Sequence, residues 1–271
     1  MVFDITLIQK KLFFMIKKFF YPLLVLILLS SQSFAQNKYD ISQFYNESIH
    51  FVKQPLNWEG SDWLKLGLVS AGTILAMQAD QPIRDAVLRD QSFNGTVPEL
   101  IGRYWGRGYA TIFFAGAFGL HGLITDDQTT KKIGFEIVQA TIYAGAITQF
   151  LKMTLGRARP YTNEGTRNYH PFSLWNDDYH ALPSGEVTLA FSLSTVLSKN
   201  SKSDLLKIIC YLPAVLTMAS RVNRDMHWSS DTFLAAAIGY FVGDWVTNLH
   251  ERQESAVEIS AVYPLTIRIK L

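Results

Sequence analysis

The chain has 271 residues, 48% of them hydrophobic and 18% charged, which supplies a sizeable core and excludes a mainly disordered chain. The formal net charge of +2 excludes a broadly basic nucleic-acid-binding surface: Lys10, Lys11, Lys17, Lys18 and Asp4 all lie in the first 35 residues, and removing them from 25 basic and 23 acidic residues leaves 21 and 22. The single cysteine, Cys210, excludes a disulfide within the chain, and the sequence has no zinc-type cluster of cysteines and histidines.

The first element in chain order is a leader, residues 1–35. Its four lysines precede an apolar run over 19–29, and Ser33-Phe34-Ala35 carries small residues at both ends. Basic region, apolar region and cleavage site come in the order of a secretory signal peptide. Cleavage is expected after Ala35, with Met1 or Met15 as the start. An uncleaved membrane anchor is the other reading of the same residues. An N-terminal segment, 36–60, follows, with a short amphipathic helix over 43–52.

Apolar helical stretches then recur at 63–78, 104–123, 132–155, 185–198, 205–219 and 232–249. Polar breaks at Asp80, Asp126-Asp127, 199–204 and 250–254 separate them, and Pro213 is placed to kink the fifth. Residues 61–250 are therefore expected to form one all-α helical bundle of about six core helices. In the tail, 251–271, Leu265, Ile267, Ile269 and Leu271 alternate with polar residues in the pattern of a short strand. Lys65, Glu136, Gln139, Gln149, Lys152 and Asp244 interrupt the apolar stretches. Both a membrane-embedded form and a soluble envelope form stay open on that pattern.

Three islands hold the polar residues of interest. The first runs from Lys152 through Arg157 to Arg159-Pro160, at the end of the third helix. Cations there complement the helix dipole, which is the plain structural reading of all three. The second is Pro183-Ser184-Gly185-Glu186, where Ser184 is placed as an N-cap and Gly185 permits close approach of an anion to the backbone. The third is Ser220-Arg221 followed by His227 and Asp231, four residues apart and on one face if helical. A carboxylate receiving the Nδ1 proton of a histidine frees Nε2 as a nucleophile.

In order and spacing the islands resemble the type 2 phosphatidic acid phosphatase family, which shares its site with vanadium haloperoxidases and class A bacterial acid phosphatases. That family reads Lys-x6-Arg-Pro, Pro-Ser-Gly-His and Ser-Arg-x5-His-x3-Asp. Here Lys152, Arg159, Pro160, Pro183, Ser184, Gly185, Ser220, Arg221, His227 and Asp231 match, ten of eleven fixed positions. The resemblance implies that Lys152, Arg159, Ser184, Gly185 and Arg221 bind phosphate without a metal ion. It also implies that His227 attacks phosphorus to form a phosphohistidine and that Asp231 orients it. The expected protein is an exported phosphatase of the cell envelope, facing the outside of the cytoplasmic membrane. Its substrate is expected to be a lipid phosphate, a lipid pyrophosphate or a small phosphomonoester, its partner the membrane and not nucleic acid. It needs no cofactor. Vanadate would be one only if the chain were instead a vanadate-dependent haloperoxidase.

The mismatch is Glu186, where the family carries the histidine that protonates the leaving group. Two readings remain: Glu186 takes over as general acid, or it pairs with a cationic ligand of the phosphate and leaves an impaired phosphate-binding protein. His180, in the preceding loop, is a candidate substitute for the missing acid, although a loop histidine without such a role is the plainer reading. The loop 161–182 is rich in aromatic residues and is expected mostly to pack on the bundle, as is Trp228.

Overall fold

A computed structural model describes residues 37–262, with side chains to 253. The leader and the alternating segment 265–271 lie outside the described residues. What is described is helical, with an isolated backbone bridge between Arg157 and Tyr169. In chain order the helices are α1 (Ile41–Lys53), α2 (Gly60–Ala76), α3 (Asp80–Arg89), α4 (Val97–Gly106), α5 (Tyr109–Thr125) and α6 (Gln128–Leu155). The remaining ones are α7 (Gly185–Lys199), α8 (Asp204–Ile209), α9 (Leu212–Asn223) and α10 (Ser229–Val262). The all-α bundle expected from the sequence is what forms.

The core lies where α6, α7 and α10 meet. Ile137, Ala140, Ala144, Leu193, Val196 and Val246 are fully buried there, with Ile133, Tyr143 and Val242 nearly so. Each large aliphatic side chain so buried contributes about 1.5–3 kcal/mol. Small residues set the spacing: a Cβ on Gly239 of α10 would lie 2.5 Å from Thr188 O of α7, so only glycine lets these helices approach so closely. At the far end of α10, His250 is held between Glu136 of α6 (Nδ1, 3.0 Å) and Glu47 of α1 (Nε2, 3.1 Å). This buried triad fastens α1 to the bundle.

Several boundaries differ from the sequence expectation. The stretch 104–123 breaks at Gly108, whose φ of 80° ends α4, and α5 leaves it at 64°. The stretch 205–219 breaks before Pro213 into α8 and α9. The expected break at Asp80 is instead the start of α3. The last helix does not stop at 249: α10 runs through Glu251, Arg252 and Gln253, good helix formers with no proline or glycine among them. The tail expected at 251–271 therefore begins inside a helix.

Apolar side chains also face outward. Leu64 and Leu68 of α2, Ile112, Phe113 and Ile124 of α5, and Ile208 of α8 are between 62% and 81% exposed. By length and composition, one continuous stretch among the described residues, Asp204–Asn223, suffices to cross a membrane, or two stretches if the bent pair α4–α5 is one span.

Candidate active site

The three islands meet at one end of the bundle. Gly156 ends α6 with φ 63°, and a Cβ there would lie 1.8 Å from His170 O. Only glycine fits this turn, which sends the chain back across the bundle end. Ala181 N then bonds Arg157 O at 3.0 Å, and Ser184 N bonds Asp231 O at 3.2 Å. These two links bring the first turn of α7 against the first turn of α10. The N–H groups of that first turn have no partner within the helix.

Lys152, Arg159, Ser184, Arg221, His227 and Asp231 are all buried. Gly185 presents its backbone to Lys152, whose Cε would be 3.7 Å from a Cβ at that position, and Lys152 Nζ donates to His180 O. Arg159 donates to Asp177 through Nε (to the backbone oxygen, 2.9 Å) and Nη2 (to both carboxylate oxygens, 2.8 and 2.9 Å). Within this group of residues, two buried side-chain atoms, Ser184 Oγ and Arg221 Nε, have no hydrogen-bond partner. Ser184 stands at the N-cap position expected for it but makes no capping bond, so its hydroxyl is free for a ligand. Leaving buried polar groups unpaired costs about 1–3 kcal/mol each.

His227 Nδ1 lies 2.7 Å from Ala181 O. A carbonyl only accepts, so Nδ1 carries the proton and Nε2 the lone pair. The sequence expectation had Asp231 accept that proton. Its Oδ2 is instead 3.8 Å from Nδ1, too far for a hydrogen bond. Asp231 accepts from Trp228 N (2.8 Å) and Arg157 Nη1 (2.6 Å), so it positions the loop carrying His227. Burial pushes His227 down to about 4, with Asp231 opposing and Lys152 and Arg159 reinforcing the shift. The ring is neutral at neutral pH.

Arg157 is not a surface dipole partner. It is fully buried and donates to Asp80 Oδ2 (2.7 Å), Asp231 Oδ1 (2.6 Å), Ser230 Oγ (2.8 Å) and Thr166 O (2.6 Å). Asp80 in turn accepts from Ser229 Oγ, Ser230 N and Ser230 Oγ. Neither Asp80 nor Asp177 was marked by motif or spacing. Asp80's partners lie 77 to 150 residues away in sequence and Asp177's partner 18.

Glu186 accepts from Arg221 Nη1, and its Oε1 lies 3.9 Å from Arg107 Nε. Of the two arrangements left open, the carboxylate adopts the pairing with a cation, Arg221. His180 Nε2 bonds Ser173 O at 2.6 Å, so its ring is committed to the loop. In that loop Tyr179 stacks on His170, and Tyr169 lies against Arg157, but Phe172 and Trp175 are 74% and 89% exposed and do not pack. Trp228 packs as expected, donating to Ala158 O at 2.9 Å. An apolar groove of about 430 Å³ between α1, α5 and α6 shares no residue with this site.

Residues 134–255 match the PAP2 superfamily. The chain is also 29% identical over 122 residues to the lipid A 1-phosphatase of Porphyromonas gingivalis, a match covering 43% of this chain and 23% of that protein. The aligned part is thus about a quarter of that relative's length. No solved structure matches significantly.

Proposed function

We propose that this chain, whose residues 134–255 carry the PAP2 superfamily pattern, hydrolyses a phosphorylated lipid through a phosphohistidine. The observation that carries this reading is the buried cluster itself. Unpartnered Ser184 Oγ and Arg221 Nε sit in the same constellation as Lys152, Arg159 and a neutral histidine. Lys152, Arg159 and Arg221 hold the equatorial oxygens, where charge is spread in the transition state. The Gly185 N–H and Ser184 Oγ complete the cradle. His227 Nε2 attacks phosphorus, and water later releases phosphate from the ring. Three cations supply the charge stabilisation, so the mechanism invokes no metal ion. Phosphate reaching Arg221 competes there with Glu186. A lipid substrate accords with the activity of the Porphyromonas gingivalis relative. The outward apolar faces of α2, α5 and α8 hold the protein against the membrane of the cell envelope.

Purified protein in detergent with a chelator is expected to release inorganic phosphate from a lipid phosphate. Tight anion binding without release would replace this reading by a phosphate-binding protein. Halide bromination after vanadate loading would replace it by a haloperoxidase.

The pH profile gives a second check. Burial, reinforced by Arg159, lowers Lys152 to about 8. Lys152 must be charged to bind phosphate, so kcat/KM, which reports the free enzyme, is expected to fall as pH rises through about 8. His227 must be neutral to attack, so its limb lies near 4, below the substrate's own second ionisation near ~6. Lys152→Arg cannot lose its proton in this range, and the alkaline limb should vanish in that variant. A limb that persists there would assign it to another group.

A further inference from the structure

The stretch of chain that carries His227 is gripped at both ends by α3, a helix that lies outside the matched residues 134–255. Asp80 and Arg84 stand four residues apart on α3, on one face. Asp80 holds Ser229 and Ser230, the first turn of α10, just after His227. Arg84 holds the chain just before it. Its Nε donates to Asp225 Oδ1 and its Nη2 to Asp225 Oδ2, both at 2.7 Å, in the two-pronged geometry of a guanidinium on a carboxylate. Nη2 also donates to Asn163 Oδ1 at 2.8 Å. The guanidinium carbon lies 5.6 Å from the centre of the ring of Trp228, the residue after His227.

Both side chains that Arg84 grips belong to residues with left-handed backbone. Asp225 has φ 58° and Asn163 φ 59°. Residues with a Cβ are uncommon in that region, and aspartate and asparagine tolerate it best. Each reverses the chain beside a site residue. Asn163 closes the turn Pro160–Thr162 that follows Arg159. Asp225 follows α9, its N–H bonding Val222 O at 3.0 Å, and turns the chain from Arg221 toward His227. Arg159 Nη1 meets the same loop at Met226 O, 3.3 Å away. Strained backbone persists only where its surroundings over-determine it. Arg84 supplies that restraint from a helix that carries no residue of the cradle. The Arg84 and Asp225 side chains are 14% and 19% exposed, and neither belongs to the apolar core.

Resting on the phosphatase reading above, we infer that Arg84 is a positioning residue for His227: by clamping Asp225 it holds the nucleophile's loop in register with the Arg159 turn and aims Nε2 at phosphorus. A nucleophile misplaced by about 1 Å loses about 100-fold in rate. Phosphate binding depends on other groups, and Arg159 keeps its three bonds to Asp177 without Arg84. The role therefore shows in kcat and not in binding.

The test is a double-substitution cycle of Arg84→Gln and Asp225→Asn in the full chain, in detergent, with dodecyl phosphate as substrate. Circular dichroism establishes that each variant is folded at the assay temperature. Asparagine keeps the left-handed turn and gives up one carboxylate oxygen, so Asp225→Asn serves alone if Arg84→Gln does not fold. Each single change should lower kcat by about 10- to 100-fold, with KM and vanadate inhibition within about threefold of wild type. The double variant should be no slower than the slower single one, because both changes break the same clamp. Rapid quench should place the loss in formation of the phosphoprotein. A magnetic-resonance readout reports on the ring itself. In protein labelled at histidine, the imidazole N–H bonded to Ala181 O should give a protected signal that is missing in His227→Ala and shifted or broadened in Arg84→Gln and in Asp225→Asn. An unchanged kcat, losses that multiply in the double variant, or binding that weakens as much as kcat falls overturns this inference and leaves the phosphatase reading standing. If the wild type releases no phosphate, the phosphatase reading falls, and the imidazole signal decides this inference: a signal identical in wild type and in the folded variants overturns it as well.

Discussion

His227→Ala should lose phosphate release by about 10⁴-fold or more, since removing the nucleophile of a covalent mechanism leaves only what binding and charge stabilisation supply. The loss should appear in kcat. The cradle residues Lys152, Arg159 and Arg221 are untouched, so phosphate or vanadate should still bind. The imidazole's one hydrogen bond among the described residues is to Ala181 O, so the fold should survive with a small change in Tm. Rapid-quench experiments with labelled substrate should trap phosphoprotein in the wild type and none in the variant. Retention of more than a tenth of wild-type activity, or a trapped adduct in the variant, would remove His227 from its role and the mechanism with it.

Arg157→Met should be the most damaging single change to stability. The guanidinium is fully buried and bridges Asp80, Asp231, Ser230 and the carbonyl of Thr166. Methionine fills similar volume but strands two buried carboxylates, which costs about 3–5 kcal/mol. For a folded unit of this size that corresponds to a fall in Tm of roughly 6–20 °C. Arg157→Lys should recover little, because one ammonium cannot span acceptors on opposite sides. Activity should fall too, since Asp231 would lose the partner that fixes it under Trp228 N. A Tm within about 2 °C of wild type would show that the network is relaxed by rearrangement, contrary to its geometry.

The bundle was largely legible because its helices bury one apolar stripe each, and that periodicity is written locally. The errors fell where local signals conflict with packing. Arg107-Gly108 sits inside an unbroken apolar pattern, yet the left-handed φ of Gly108 splits it into α4 and α5. Residues 250–254 read as a polar break, but His250 is buried between Glu47 and Glu136 and the helix continues through them. The aromatic residues of the loop 161–182 are expected mostly to pack, yet Phe172 and Trp175 are largely exposed, since aromatic content says nothing of which side of a loop faces the bundle.

The sequence by itself determined the residue types and order of the cradle: Lys152 with Arg159, Ser184 with Gly185, Arg221 with His227 and Asp231. Spacing along a helix or a tight turn is local information, and a motif preserves it. Tertiary structure alone decided which partner each of these groups takes. It put Ala181 O, and not Asp231, on the Nδ1 proton of His227. It buried Arg157 between two aspartates, and it set Glu186 on Arg221 within reach of Arg107. Those pairings join segments far apart in the chain, and electrostatic energy depends on distance in space, which sequence separation does not encode.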